Sequence, residues 1–288
     1  MPRGVTPRQP SRSGRQDKIS NAATRAKERI VKAAPSKTSS IGVPAPKSKP
    51  TKPAKAPATA SRKSAIAAKG YNPLAPERIS EILEHLDARY PKAHCALHHR
   101  NAWELLVATI LSAQCTDVRV NMVTPALFEK YPTVQAFAAL EPEDMEDDIR
   151  TTGFFRNKSK SVVGAARKVI SDFGGEVPHT MDELLTIPGV ARKTANVVLG
   201  SWFKIADGVV VDTHVQRISR RLELTKNEDP RKIEQDLMQV IPRERWILFS
   251  HQIILHGRAT CIARRPKCVD CSLETLCHAA DKTWSTVE

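Results

Sequence analysis

Apolar residues recur with a helical period from residue 76 onward. Ile79, Ile82, Leu83 and Leu86 fall at i, i+3, i+4 and i+7, which predicts one buried stripe on a helix opened by Pro76. The stretch from Trp103 to Ala113 is apolar on nearly every side (Leu105, Leu106, Val107, Ile110, Leu111), as expected of a helix inside a core. Thr180-Met-Asp-Glu183 reads as a capping box that starts a short helix through Leu184 and Leu185. Asp229 and Pro230 supply an N-cap and an N1 proline for a helix running to about Val240. The one β-branched run, Gly208-Val-Val-Val211, is too short to carry a sheet. The pattern predicts an all-α fold.

Residues 1–72 lack this period. Up to residue 70 they contain no aromatic side chain and are rich in Pro, Ala, Ser and Lys. Such a segment buries too little apolar surface to offset its ordering entropy and is expected to be disordered. Charge sharpens the division. Of the 45 Lys and Arg and 31 Asp and Glu in the chain, 17 bases and two acids lie in residues 1–70, which leaves 28 bases and 29 acids in the remainder. The tail suits loose electrostatic association with DNA, a solvated linker, or an acid-poor targeting peptide. The body is nearly neutral, so DNA affinity there must come from local patches.

No apolar run reaches the roughly 18 residues needed to span a bilayer, and the N-terminus lacks the apolar centre of a secretory signal. A soluble, reducing compartment is expected: cytoplasm with nucleoid association in a bacterium, an organelle or the nucleus if the tail is a targeting segment. Four of the six cysteines, Cys261, Cys268, Cys271 and Cys277, are spaced C-x6-C-x2-C-x5-C. This is ligand spacing, not a disulfide framework. Spacing alone leaves structural zinc and an iron–sulfur cluster both open. Cys95 and Cys115 read as small buried apolar residues.

The segment from Leu185 to His214 carries the candidate chemistry. A capped helix meets Pro188-Gly189-Val190-Ala191, and a second helix begins at about Arg192: a helix–hairpin–helix over about 181–200. Its turn would aim backbone N–H groups and the positive end of the helix dipole outward, a phosphate site that needs no particular base. Val190 would point inward and lock the two helices. Lys193, in the first turn among those N–H groups, is expected to favour the neutral amine that a nucleophile requires. Asp212 stands in a Val-Asp-Thr-His context near the hairpin. Simple phosphate binding by Lys193 and helix capping by Asp212 are the plainer alternatives.

Ile187-Pro-Gly-Val-Ala-Arg-Lys193-Thr-Ala-Asn-Val-Val, Val211-Asp-Thr-His214, Leu111-Ser-Ala-Gln114-Cys-Thr-Asp117, Thr152-Gly-Phe154-Phe-Arg-Asn-Lys158 and the four-cysteine loop resemble, in order, the endonuclease III family. The resemblance covers essentially residues 74–280. It implies a two-lobed fold: a six-helix barrel domain over 95–205, and an iron–sulfur domain built from 73–94 and 206–288 around a [4Fe–4S] cluster held by the four cysteines. It also implies a bifunctional DNA glycosylase and AP lyase of base-excision repair, acting on oxidised pyrimidines in duplex DNA with damaged bases or abasic sites. Lys193 would attack C1′ of a flipped nucleotide, with Asp212 in support. Gln114 and Phe154 would fill the gap or wedge the opposite strand. Gly189, Ala191, Arg192, His214, Arg264, Arg265 and Lys267 would meet the DNA. A monomer without membrane attachment is expected.

Three positions depart from the family pattern. Ala191 stands at a usual glycine, at a cost of about 1 kcal/mol if that residue needs a positive φ. Phe154 stands at a usual Leu and Cys115 at a usual Ala. The competing readings are an adenine-mismatch-type monofunctional glycosylase, disfavoured by Lys193 and the short segment after Cys277, and a catalytically inactive DNA-binding iron–sulfur module, disfavoured by the intact Lys193 and Asp212.

Overall fold

The computed structural model describes residues 71–286, which belong to one unit, Arg62–Glu288. Most of the proposed tail lies outside them. Helix α1 (Pro76–Arg89) begins on its N1 proline, where a missing N–H is harmless, and Ala75 gives no side-chain cap. Its stripe is buried as the period requires, Ile82 and Leu86 completely. Helix α2 (Ala102–Leu111) starts where Asn101 Oδ1 accepts the Glu104 N–H at 2.8 Å. It is buried on all faces, with Leu105, Leu106, Val107 and Ala108 fully covered, and is the axis of a first core.

Around it lie α3 (Asp117–Lys130), α4 (Val134–Ala138), α5 (Glu146–Ile149), α6 (Phe155–Phe173), α7 (Met181–Leu185) and α8 (Arg192–Val198), the last running on through a π-turn, Leu199–Phe203. The long α6 buries Val162, Val163, Ala165, Ala166 and Val169 along one face and ends at Gly174, whose φ of 63° closes the helix in the left-handed region. This first core runs from Leu97 to Leu199.

A second core gathers α9 (Thr213–Arg221), α10 (Pro230–Val240) and α11 (Trp246–Ala259) with α1, so that both ends of the folded chain meet in it. Asp229 caps α10 through Oδ1, which accepts the Arg231 and Lys232 N–H groups at 3.1 Å. Ile233 and Leu237 on α10 pack with Ile79, Leu86, Val215, Ile218, Phe249 and Ile253. Tyr71, assigned to the tail by composition, is anchored here: its hydroxyl donates to Glu223 Oε2 at 2.6 Å and its ring meets His278 edge-on.

Among the described residues there is no strand. The Gly208–Val211 run is extended, but the Val210 N–H donates to Ser250 Oγ at 3.0 Å instead of joining a ladder. No helix among the described residues is long and apolar enough to cross a membrane.

Helix α11 carries His251, with its Nε2 3.4 Å from Ser201 Oγ. Burial, aided by His94 and Lys204, pushes the imidazole pKa down to about 4 from 6.5. Below pH 6.5 the unfolded chain therefore binds a proton that the native state refuses, so stability is full above that value and is lost as pH falls towards 4. Melting temperature should drop across this window, and His251→Gln should make the drop shallower. Superimposable pH profiles would exclude this assignment.

Candidate nucleic-acid interface and cysteine cluster

The hairpin forms as its local signals dictate. Thr180 caps α7, its Oγ1 accepting the Glu183 N–H at 3.4 Å. The reciprocal half of the box differs from expectation, because the Glu183 carboxylate takes the Thr180 hydroxyl proton at 2.6 Å. The turn closes with the Val190 N–H on Ile187 O at 3.1 Å, and Val190 is buried. Gly189 has φ 78°, and a Cβ there would stand 2.6 Å from Ser161 Cβ on α6, so both conformation and close approach demand glycine. Ala191 behaves otherwise. As the N-cap of α8 it has φ −97° and ψ 168°, ordinary extended backbone, so its replacement of glycine carries no conformational strain. It also gives α8 no side-chain cap, which leaves the first-turn N–H groups available to an outside acceptor.

Lys193 is exposed in this first turn. Arg192 is not a free phosphate ligand: its Nε donates to Glu234 Oε2 on α10 at 2.7 Å, and the carboxylate raises the guanidinium pKa. Asn196 Nδ2 reaches the other oxygen of Glu234, also at 2.7 Å. Asp212 caps α9: its Oδ1 accepts the His214 and Val215 N–H groups, both at 2.8 Å, and Oδ2 has no partner among the described residues. Lys193 and Asp212 make no direct bond to each other among the described contacts. His214 packs on Gly257 of α11, with its Nδ1 3.2 Å from Arg217 Nη2, and burial lowers its pKa. It is a half-buried packing residue more than a presented DNA contact.

Gln114, Phe154 and Gly189 come together around one open pocket of about 530 Å³, lined also by Ile110, Asn157, Lys158 and Ser161. Gln114 (φ 53°) and Phe154 (φ 48°, ψ 29°) are non-glycine residues held in the left-handed region, at about 1–2 kcal/mol each. Phe154 is 61% exposed.

The four cysteines line a second, small pocket. None forms a disulfide. Arg221 Nη1 donates to Cys261 Sγ at 3.1 Å, the Thr283 N–H points at Cys268 Sγ at 3.4 Å, and His256 Nε2 lies 3.5 Å from Cys271 Sγ. Burial, with the other cysteines adding to it, pushes the Cys271 thiol up to about 11 and raises that of Cys277. Four thiolates here would require a cationic centre. No three His, Cys, Asp or Glu among the described residues converge on a single-ion geometry. Arg264, Arg265 and Lys267 are exposed on the loop between the first two cysteines and have no ion-pair partner among the described residues.

Residues 107–243 match the family model "HhH-GPD superfamily base excision DNA repair protein". The chain is 57% identical to the endonuclease III of Synechocystis sp. over 71% of its own length and 93% of that protein. It is 38% identical to that of Escherichia coli over 70% and 95%. The chain belongs to the endonuclease III family. Solved structures of a trapped endonuclease III–DNA covalent intermediate and of a non-covalent endonuclease III–DNA complex superpose on it with a TM-score of 0.68 at 43% identity, covering 70% of this chain and 95% of theirs.

Two polar groups of this endonuclease III relative escaped the sequence reading. Lys158, the last residue of the Thr152–Lys158 motif, was expected to carry no role of its own, yet it is buried against the Gln114–Phe154 pocket. Glu234 did leave a signal, a carboxylate set between Ile233 and Leu237 on the apolar face of α10. Glu234→Ala strands Arg192 and Asn196 and should remove about 2–4 kcal/mol of stability. A urea midpoint that falls at unchanged m would show this; an unmoved midpoint would remove the clamp from consideration.

Proposed function

We propose that this chain is a base-excision-repair DNA glycosylase with AP lyase activity, removing oxidised pyrimidines from duplex DNA and cleaving 3′ to the abasic site. Membership of the endonuclease III family carries the reading, together with an exposed Lys193 in the first turn of the uncapped α8. A base within the stack shields its glycosidic bond, so the damaged nucleotide is extruded first. Gln114 and Phe154, projecting beside the hairpin turn, would occupy the gap and wedge the opposite strand. The α8 N–H groups and Arg264, Arg265 and Lys267 would hold phosphates.

Lys193 Nζ, as the free amine, attacks C1′ while the C1′–N bond breaks and the base departs with its electron pair. Asp212, through the oxygen not used in capping α9, would take the amine proton or stabilise positive charge developing at the sugar. The sugar ring then opens as C1′–O4′ breaks, O4′ taking up a proton and the nitrogen losing one, and the Schiff base so formed acidifies the C2′ proton. Its removal expels the 3′ phosphate by β-elimination, and hydrolysis releases the lysine.

Cys261, Cys268, Cys271 and Cys277 would hold a [4Fe–4S] cluster. Four thiols that line one cavity, with hydrogen-bond donors aimed at two of their sulfurs, suit such a centre. When bound, the cluster supplies structural organisation to the basic loop and not the bond-breaking step. The two hydrophobic cores support a division into a barrel domain (95–205) and a cluster domain (73–94 with 206–288).

Borohydride trapping on a duplex with one thymine glycol tests the chemistry. Wild type should form a covalent adduct, Lys193→Ala none, and Asp212→Asn should slow base release about 100-fold or more. Base release without an adduct would mean a monofunctional enzyme. For the cluster, metal analysis should find about four irons per chain. Cys271→Ser should lose iron and visible absorption together with affinity for lesion duplex; stoichiometric zinc in wild type would overturn the assignment.

A further inference from the structure

A single buried amine bridges the two segments that lead into the strained residues of the Gln114–Phe154 pocket. Lys158, in the first turn of α6, is 5% exposed. Its Nζ donates to Leu111 O at 2.9 Å and to Thr152 O at 2.7 Å. Leu111 is the last residue of α2, so its carbonyl is one of those a helix leaves unsatisfied, at the negative end of the helix dipole. Thr152 ends the short turn Arg150–Thr152. From these anchors the chain runs three residues to Gln114 and two to Phe154, through Gly153 at φ 72°.

Lys158 has no carboxylate partner among the described contacts; two carbonyl dipoles meet its charge, burial lowers its pKa, and the nearby Cys115 partly opposes that. A buried lysine without a counter-ion is a poor choice for stability, because an apolar side chain of the same length would avoid the desolvation penalty. What an apolar side chain cannot do is bridge two carbonyls belonging to separate loops. Local bonds close each turn, Cys115 N–H on Ser112 O at 3.0 Å and Lys158 N–H on Phe154 O at 3.1 Å, but none joins one loop to the other, and left-handed backbone at a non-glycine residue persists only where its surroundings over-determine it.

We propose that Lys158 is a positioning residue for lesion recognition, clamping the roots of the two loops so that Gln114 and Phe154 are presented to the duplex as one preformed probe. This rests on the reading of Gln114 and Phe154 as the groups that enter the duplex. Preorganisation of this kind raises affinity for the distorted site, where both side chains must act together, and leaves binding to undamaged duplex nearly untouched.

The test measures binding of the full-length, metal-loaded protein to a duplex with a stable abasic analogue and to an undamaged duplex of the same sequence, at several salt concentrations. Lys158→Met should weaken lesion binding about tenfold, the worth of one hydrogen bond to a charged group. Undamaged-duplex affinity and the salt slope should stay unchanged, since the buried amine contacts no phosphate. In a Gln114→Ala/Phe154→Ala background, Lys158→Met should cause no further loss. Equal weakening on both duplexes, a smaller salt slope, or full additivity in that background would each overturn the inference. If Gln114→Ala/Phe154→Ala keeps lesion affinity, the reading of those two side chains fails; if it loses affinity while Lys158→Met does not, only the clamp fails. Lys158→Gln is judged by the same criteria if the Met variant does not fold, and failure of both to fold would make Lys158 a determinant of the fold and refute the positioning role.

Discussion

The geometry of the candidate site depends on a buried carboxylate between two hydrophobic cores. Lys193 rides on α8, anchored in the first core by Ala195 and Val198, while Asp212 caps α9, anchored in the second by Val215 and Ile218. Ser201 with His251 and Asp117 with Arg258 also cross between the helices of the two cores, but Glu234 does so at the hairpin itself, accepting from Arg192, the residue next to Lys193, and from Asn196 one turn later. A carboxylate 5% exposed is tolerable only because both oxygens are bonded. The arrangement has its own costs: Asn196 Oδ1 is left buried without a partner, and a Cβ at Gly208 would collide with the carboxylate. A structure that tolerates these at one point is concentrating its constraints where two lobes must keep register.

The helices were legible because their signals are local. A proline at N1, an Asp at the cap and an apolar stripe each act within a turn or two, which is why α1 and α10 begin where the residues say. Legibility declined as the partner moved away in sequence. Gly208–Val211 carries strand propensity, but its partner is the Ser250 hydroxyl on α11 and not another strand. Glu183 has the right spacing for a reciprocal cap and instead bonds the hydroxyl it was meant to complement. Ala191 looked like a strained substitution because the family pattern has glycine there; extended backbone removes the objection. The pairing of α1 with α9–α11 is invisible to periodicity and came only from resemblance.

Lys158 and Glu234 were missed for one shared reason. Each is a charged residue whose partners lie 47 and 6, or 42 and 38, positions away, and a charge is presumed solvated until something distant covers it. Their places are complementary: Glu234 holds the hairpin helix to the other lobe, and Lys158 holds the two projecting loops to the long α6. Gly189 links the two systems by lying directly on Ser161 of α6, so the hairpin turn and the projecting loops share one support. The left-handed backbone at Gln114 and Phe154 thus stands on a base held by Lys158 and Ser161 of the same helix.

The near-neutral body also acquires a physical meaning. Its arginines divide into those committed internally and those left free. Arg217 bonds Gly257 O and Cys261 O, and Arg221 bonds Cys261 Sγ, Ile262 O and Asp281, so both shape the cysteine loop from beneath. Arg192 is taken by Glu234. Arg264, Arg265 and Lys267, on the outside of that same loop, are unneutralised. A bulk charge near zero therefore conceals a directed one: cations are spent inward to hold a loop whose outer face presents the remainder. Affinity built this way is short-ranged, because beyond a Debye length of about 10 Å the neutral body contributes no attraction. On the proposed reading the loop would act only where the fold already brings a phosphate close, and its charge would then set register on the duplex.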